Sequence, residues 1–289
     1  MKINIYQVNS FAKIEEGGNP AGVVLNADSL SEKEMRRIAA ELGLSETAFV
    51  MKSKKADYKL RFFTPNAEVD LCGHATIGAF YAMASLGAMK PGIYTQETKA
   101  GVLGIEVYED HSVMMDQKTP IFSDMIQKQE LSDSLHIRIE DMSENLPAQV
   151  VSTGLRDILI PVKNTAILNA IRPDFEKVKK ISQKYNAVGY HVFTPETLQG
   201  ATASCRNFAP LYDIDEEAAT GTSSGALGCY LYRYGKVDKM QASEMIMEQG
   251  SAMGRLSEIR VVLMIEKEEI TGVKVGGSAR NLALCRKNQ

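Results

Sequence analysis

The sequence predicts an α+β protein of two pseudo-symmetric domains, each a curled mixed β-sheet wrapped around a central buried α-helix. The first observation behind this prediction is an internal repeat. The segment Cys72 to Thr76 opens an apolar run, and Thr220 to Ser224 opens a second one at an offset of 148 residues (220 − 72). The second observation is that both runs are small or apolar on all sides, which indicates buried helices rather than surface ones.

The repeat extends upstream of the two apolar runs. Arg61 to Pro65 is echoed by Arg206 to Pro210, and Glu68 is echoed by Glu216. Because the echo includes strand-like and helix-like stretches in the same order, it indicates that the two halves are related as whole domains.

Periodicity places the individual elements. Ser31 is a predicted N-cap with Glu34 at the capping-box spacing, and Asp174 is its counterpart in the second half. Helices are predicted over 31–42, 74–86, 174–185 and 222–234. Two-residue alternation predicts strands over 3–8, 21–25, 47–51, 58–63, 102–108, 111–115, 135–140, 149–152, 157–162, 188–193, 202–208 and 259–264. Small residues are expected to let the sheets approach the central helices closely, at Gly78, Ala79, Gly225 and Gly228.

The composition excludes several classes of partner. A net charge of −3, from 33 basic and 36 acidic residues spread along the chain, provides no field that would attract nucleic acid or an anionic membrane. The cysteines at 72, 205, 229 and 285 have no disulfide or zinc-ligand spacing, so we expect no metal site and a reducing, cytoplasmic environment. We also expect no signal peptide and no membrane span, which leaves a small molecule as the partner.

The repeat also predicts where the domains divide. We expect a first domain over 1–115 that is completed by about 275–289, because the first half has fewer strands than its twin, and a second domain over 116–274. Two related halves that face each other make a cleft. If both central helices begin there, the backbone amides at their starts bind an anion such as a substrate carboxylate.

Glu46 is the first candidate for chemistry. It lies where a polar helix gives way to an apolar strand, and the repeat aligns it with Tyr190. A carboxylate beside Leu44, Ala48 and Phe49 is partly withdrawn from water, which suits a proton carrier. An exposed loop glutamate or a helix cap is the alternative from the residues alone.

The starts of the two central helices supply the other candidates. His74 lies in the first turn of its helix, where the second half has Thr222, and either a role beside the anion site or a buried cap fits it. The pair Glu216 and Glu217 precedes the second helix, and dipole effects alone account for acids at such positions. Cys72 is matched by Thr220, so a symmetrical pair of thiols is not available.

One motif match is set aside. Gly221 to Gly225 satisfies the G-x-S-x-G pattern of serine hydrolases, which place the triad histidine after the serine. All four histidines of this chain precede Ser223, so we do not expect serine hydrolase chemistry.

The chain resembles the phenazine-biosynthesis-like family of isomerases, in order and over nearly its whole length. The motifs that carry the resemblance are Gly18 to Val23, Leu44 to Phe49, Arg61 to Pro65, Glu68 to Thr76 and Arg206 to Gly221. The resemblance implies a diaminopimelate-epimerase-like fold with the active site between the domains. The chain departs from the family's usual E-D-P-x-T-G-S motif at three positions, Glu217, Ala218 and Thr222. These departures imply a substrate other than the phenazine precursor.

The resemblance also implies roles for individual residues. Glu46 is the implied acid and base, and His74 and Glu217 assist it. The residues expected to bind the substrate are Gly73, Gly221, Thr222, Asn19 and Asp70. No cofactor and no metal are expected, and a homodimer is compatible with the resemblance. The favoured function is a cofactor-independent isomerase that moves a proton on a small carboxylate-bearing metabolite. The alternatives are a one-base racemase or epimerase of an amino-acid-like acid and a non-catalytic binding protein.

Overall fold

The computed structural model describes residues 3–197 and 200–287 of the chain. The chain forms two compact units. The first runs to Asp116 and includes the segment from Gly276 onward, and the second runs from Gln117 to Val275. Within the described residues, no helix is both long enough and apolar enough to cross a membrane.

The first unit is a mixed sheet with two helices. Its helices are α1 (Glu32–Leu42) and α2 (Gly73–Ser85). Its strands are β1 (Asn4–Ser10), β2 (Asn19–Val24), β3 (Glu46–Met51), β4 (Tyr58–Phe63), β5 (Glu68–Val69), β6 (Gly92–Thr98), β7 (Gly101–Val107), β8 (Val113–Gln117) and β18 (Ala279–Lys287). The C-terminal strand β18 pairs antiparallel with β1.

The second unit repeats this plan and adds two short helices. Its helices are α3 (Lys128–Leu135), α4 (Thr165–Ala170), α5 (Phe175–Lys184) and α6 (Gly221–Arg233). Its strands are β9 (Ile121–Ile126), β10 (Ala148–Ser152), β11 (Arg156–Pro161), β12 (Gly189–Thr194), β13 (Ala203–Ala209), β14 (Ile214–Glu217), β15 (Met245–Gln249), β16 (Ser257–Glu266) and β17 (Glu269–Gly277).

Strand pairing follows the same path in both units, which confirms the predicted pseudo-symmetry. In the first unit, β1 pairs antiparallel with β2, β2 parallel with β3, β3 antiparallel with β4, and β4 antiparallel with β5 and parallel with β6. In the second unit, β10, β11, β12, β13, β14 and β15 make the same pairings with the same directions. The parallel β2–β3 step is crossed by the amphipathic helix α1, and the β11–β12 step by α4 and the amphipathic helix α5. The parallel β4–β6 and β13–β15 steps are crossed by the central helices α2 and α6.

The central helices α2 and α6 are buried as predicted. Gly78 in α2 lies so close to β1 that an added Cβ would be 2.7 Å from Val8 Cγ1. Gly225 and Gly228 in α6 are equally crowded, by Val275 Cγ1 at 2.9 Å and Val261 Cγ1 at 2.7 Å. Glycine is needed at these three positions because the sheet side chains occupy the space of a Cβ, which outweighs the roughly 1 kcal/mol of lost helix propensity.

The echoed arginines form the same structure twice. Arg61 donates from Nε and Nη2 to the two carboxylate oxygens of Glu68 at 2.7 and 2.8 Å. Arg206 donates in the same way to Glu216, at 2.8 Å for both bonds. Each guanidinium also lies about 5 Å from the ring of the phenylalanine two residues on. Bidentate geometry makes these strong pairs, and they fix the turn that leads into each central helix.

The predicted strand over 135–140 is wrong. In the structure α3 ends at Leu135, His136 adopts a left-handed conformation with φ 53°, and residues 139–141 form a 3₁₀ turn. Leu135 lies in the core of the second unit, and Ile137 packs against that core. A helix end followed by a tight turn therefore produces the same alternation of apolar and polar residues as a strand.

Candidate active site

Glu46 is the first residue of β3, where it pairs with Ala21 of β2. Gly43 ends α1 in a left-handed conformation with φ 63°, and the chain then turns directly into the strand. The Glu46 side chain is 13% exposed, and its Oε2 lies 3.3 Å from Nε2 of His74. The two atoms nevertheless form no hydrogen bond, and Oε2 is buried without a hydrogen-bond partner in the described part of the chain. Glu46 is therefore neither an exposed loop residue nor a helix cap.

His74 is the second residue of α2, and its ring is held from several sides. Nδ1 lies 3.4 Å from Nδ2 of Asn19 and 3.5 Å from Sγ of Cys72. Nε2 lies 3.3 Å from Oγ of Ser45, on the side where Glu46 also lies. The Ser10 hydroxyl donates to the His74 carbonyl at 2.6 Å, which ties the first turn of α2 to β1. The imidazole is thus fixed beside the Glu46 carboxylate, with 6% of its side chain exposed.

The start of α2 presents backbone donors that the side chain of its N-cap residue does not cap. Cys72 is the N-cap in an extended conformation, and its side chain accepts no capping hydrogen bond. Gly73 follows as the first helical residue, and an added Cβ there would be no closer than 3.7 Å to its nearest neighbour. Helix starts of this kind favour anions because their first amide groups lack intrahelical partners. Asp70 precedes this turn and is exposed.

The remaining predicted residues lie together in the second unit, at the start of α6. The Thr220 hydroxyl donates to Oε2 of Glu217 at 2.6 Å, and Gln249 holds both residues by donating to the Glu217 carbonyl and the Thr220 hydroxyl. Gly221 and Thr222 form the first turn, which the side chain of the N-cap residue Thr220 does not cap. Because Glu216 is held by Arg206, Glu217 is the acid of the pair that lies against the helix start.

The predicted counterpart of Glu46 is wrong by one residue. In β3 the pairing places Thr47 opposite Phe63, and in β12 it places Tyr190 opposite Phe208. Because Phe63 and Phe208 are equivalent in the repeat, Tyr190 matches Thr47, and Glu46 matches Gly189. An added Cβ at Gly189 would lie 2.0 Å from the Phe208 carbonyl oxygen, so the second unit has no room for any side chain there. Only the first unit therefore has a carboxylate at this position.

Sequence reasoning missed a buried polar network in the second unit. The Ser223 hydroxyl donates to Asp157 Oδ2 at 2.8 Å, and Asn207 Nδ2 lies 3.2 Å from both Ser223 Oγ and His191 Nδ1. Their equivalents in the first unit are all apolar, at Ala21, Ala75, Phe62 and Ala48. Burial raises the pKa of Asp157 to about 6 and lowers the pKa of His191 to about 3. An aspartate within the apolar strand 157–162 was the available signal, because a buried carboxyl needs a partner.

Comparison with known proteins places the chain in context. A model of the phenazine biosynthesis-like protein family matches residues 8–283. The chain is 38% identical to an uncharacterized isomerase of Clostridium acetobutylicum, over 96% of this chain and 95% of that protein. It is 29% identical to the trans-2,3-dihydro-3-hydroxyanthranilate isomerase of Pseudomonas chlororaphis, with 94% of each covered. The crystal structure of a PhzF-family phenazine biosynthesis protein from Bacillus anthracis matches with a TM-score of 0.88, 34% identity and 96% of both chains covered.

The fold and these relatives define an enzyme of the isomerase class. The family match covers nearly the whole chain, and the relatives match along nearly their whole length. The chain belongs to the phenazine biosynthesis-like protein family.

Proposed function

We propose that this protein is an isomerase that moves a proton on a small carboxylate-bearing metabolite, with Glu46 as the acid and base. His74 is the proposed assistant of Glu46. The residues of the chain carry the proton transfer themselves in this proposal, without a cofactor.

The observation that carries the proposal is the buried, unpartnered oxygen of the Glu46 carboxylate in the described part of the chain. A buried polar atom without a hydrogen-bond partner is rare in folded proteins, because it costs about 1–3 kcal/mol of desolvation free energy. Oε2 of Glu46 is such an atom, and it lies beside an imidazole whose ring is fixed by neighbours. A structural glutamate gains nothing from this arrangement. A proton carrier needs it, because the unpartnered oxygen is available for a hydrogen on the substrate.

The proposed reaction uses one carboxylate twice. Glu46 takes a proton from a carbon next to an electron-withdrawing group, and the electron pair that remains spreads into that group. The Glu46 carboxylic acid then returns the proton to a different carbon, so the substrate gains and loses no atoms. His74 supports both steps, because Nε2 lies 3.3 Å from Oε2 and can stabilise either the charged or the neutral carboxyl group.

The amides of Gly73 and His74 are the proposed binding site for the substrate carboxylate. They lie in the first turn of α2, which has thirteen residues and no capping side chain. The same donors stabilise negative charge that develops as Glu46 removes the proton, which is the usual role of an oxyanion site. Asn19 positions the His74 ring at the same turn.

A mechanism with two thiols is disfavoured. Cys72 supplies one thiol at the start of α2, but its equivalent at the start of α6 is Thr220. The Thr220 hydroxyl donates to the Glu217 carboxylate at 2.6 Å, and a threonine hydroxyl is not a base at neutral pH. Glu217 is the proposed second carboxylate for the reaction.

Hydrogen exchange in D₂O tests the proposal. The first probe is trans-2,3-dihydro-3-hydroxyanthranilate, on which the Pseudomonas chlororaphis relative acts, and a panel of small carboxylates and L-amino acids follows it. Mass spectrometry measures deuterium uptake, and NMR shows which carbon carries it. We expect wild type to place deuterium at a new carbon and Glu46→Gln to lose at least about a hundredfold in rate, the usual contribution of a positioned acid or base.

Glu109→Gln is the matched control, because Glu109 is an exposed glutamate of the first unit. It is expected to exchange at the wild-type rate. Full exchange by folded Glu46→Gln would remove Glu46 from the mechanism, and loss of exchange in Glu217→Gln alone would move the role there. Deuterium found only at the original carbon, with inversion, would favour the one-base racemase instead.

A further inference from the structure

We infer that Glu46, Cys72 and His74 form a binding site for a zinc ion, and that zinc at this site blocks the proton-transfer chemistry. The metal-binding part stands on the geometry alone, whereas the inhibitory part rests on the proposed function. Zinc and related divalent ions of the first transition series are the ligand class.

The three side chains converge from two elements of the first unit. Glu46 begins β3, Cys72 is the N-cap of α2, and His74 lies in its first turn. One donor atom from each lies within 4.8 Å of the other two. In the described part of the chain, no other group of three such residues meets this condition. The spacing of the cysteines along the chain did not indicate this site, because only one ligand is a cysteine.

The distance between the Glu46 oxygen and the His74 nitrogen suits a tetrahedral ion. Zinc bonds of about 2.3 Å to sulfur and about 2.0–2.2 Å to nitrogen and oxygen place neighbouring donors about 3.3–3.6 Å apart. Oε2 of Glu46 lies 3.3 Å from Nε2 of His74, and Sγ of Cys72 lies 3.9 Å from the same nitrogen. The Cys72 sulfur is therefore about 0.3 Å beyond that range (3.9 − 3.6), so it has to move towards Nε2 when an ion binds. Three protein ligands leave a fourth position for water or an anion, as in open zinc sites.

The chemistry of the donors also fits. Thiolate, imidazole and carboxylate are the three ligand types that zinc binds in proteins. Among the described residues, the Glu46 Oε2 atom is buried without a hydrogen-bond partner, so an ion would relieve its desolvation. Nδ2 of Asn19 lies 3.4 Å from Nδ1 of His74 and holds the ring so that Nε2 lies on the side of the carboxylate.

The other cysteines do not offer an equal site. Cys205 and Cys229 are buried, and burial raises the pKa of both thiols, that of Cys229 to about 12, which disfavours the thiolate that metals require. Cys285 is exposed and can bind metal weakly at the surface. A Cys285→Ser background removes that contribution.

Cobalt(II) is the first probe, because a cobalt–thiolate bond gives a charge-transfer absorption in the near ultraviolet. We expect full-length Cys285→Ser protein to show this band at one equivalent of Co²⁺, and Zn²⁺ to displace it. Adding Cys72→Ala is expected to remove the band. Isothermal titration with Zn²⁺ is expected to show at least a tenfold loss of affinity for Cys72→Ala, His74→Asn and Glu46→Gln, since even loss of an outer partner costs about 10–100-fold.

Circular dichroism establishes that each variant is folded. A His111→Asn variant is the control for zinc binding by another histidine, because His111 is half-buried at a bend and is not one of the three ligands. Absence of the thiolate band, or equal zinc affinity in Cys72→Ala and its parent, would overturn the site. Zinc that binds with the expected ligands and abolishes deuterium exchange supports the whole inference. Zinc that binds while exchange continues would refute the inhibition and the assignment of Glu46 to proton transfer, but would leave the metal site intact.

Discussion

Replacing Asp157 by asparagine tests the energetics of the buried network in the second unit. Asp157 is 2% exposed, and the Ser223 hydroxyl donates to it at 2.8 Å. Burial raises the pKa of this carboxyl from 3.8 to about 6, although the hydrogen bond from Ser223 opposes that effect. The asparagine keeps an acceptor for Ser223 and cannot ionise.

The magnitude follows from the two pKa values. Between pH 3.8 and about 6 the folded protein holds a proton at Asp157 that the unfolded chain has lost, so the free energy of unfolding decreases as the pH rises. A difference from 3.8 to about 6 corresponds to about 3 kcal/mol. Because the unfolded carboxyl is already more than half ionised at pH 4, Asp157→Asn should gain about 2 kcal/mol relative to wild type between pH 4 and pH 7, and change little above that.

Urea unfolding followed by far-ultraviolet circular dichroism is the assay, since the chain contains no tryptophan. The lowered pKa of His191 acts in the opposite direction, but it acts in both proteins and cancels in their difference. Asp215→Asn is the control, because Asp215 is an exposed aspartate of the same unit. A stability difference between Asp157→Asn and wild type that is the same at pH 4 and pH 7 would refute the reasoning.

Three further predictions follow from the packing. Cys72→Ala should slow deuterium exchange far less than Glu46→Gln and cost on the order of 1 kcal/mol in urea unfolding, because it removes one buried sulfur; an inactive, folded Cys72→Ala beside an active Glu46→Gln would reverse the assignment. Gly189→Ala should cost at least about 3 kcal/mol or prevent soluble expression, because its Cβ would lie 2.0 Å from a carbonyl oxygen, and a urea midpoint equal to wild type would contradict the register given above. Arg206→Lys should lower the free energy of unfolding by about 2–4 kcal/mol, and Arg61→Lys should lower it by about 1 kcal/mol. The Arg206 side chain is 7% exposed and also donates to two backbone carbonyls, whereas the Arg61 side chain is 20% exposed. Equal changes in the urea midpoint would show that burial does not separate the two arginines.

Local patterns in the sequence determined much of the fold. The capping box at Ser31 and Glu34 and the aspartate cap at Asp174 mark helix starts that the structure confirms. The two central helices are apolar on all sides and are buried, and their predicted bounds differ from the observed ones by one residue. These features are readable because a cap and a helical period each depend on residues within a few positions of one another.

Other strands lacked such a local signal. No strand was predicted over β5, β6, β9, β14, β15, β17 or β18. Ile121 and Met125 of β9 are exposed, and Ile93 of β6 is 82% exposed, so their alternation does not follow burial. Pairing with neighbouring strands, which the sequence does not display, makes these segments extended.

The sequence by itself determined that the chain is duplicated, that each half has a buried helix, and that Glu46 and His74 stand out from their counterparts. Only the tertiary structure decided that Glu46 matches Gly189, because one residue of register depends on which residues pair across β3 and β4. It also decided that a glutamate, a cysteine and a histidine from two elements lie within 4.8 Å of one another. Distances between side chains of different elements depend on packing across the sheet, and no spacing along the chain encodes them.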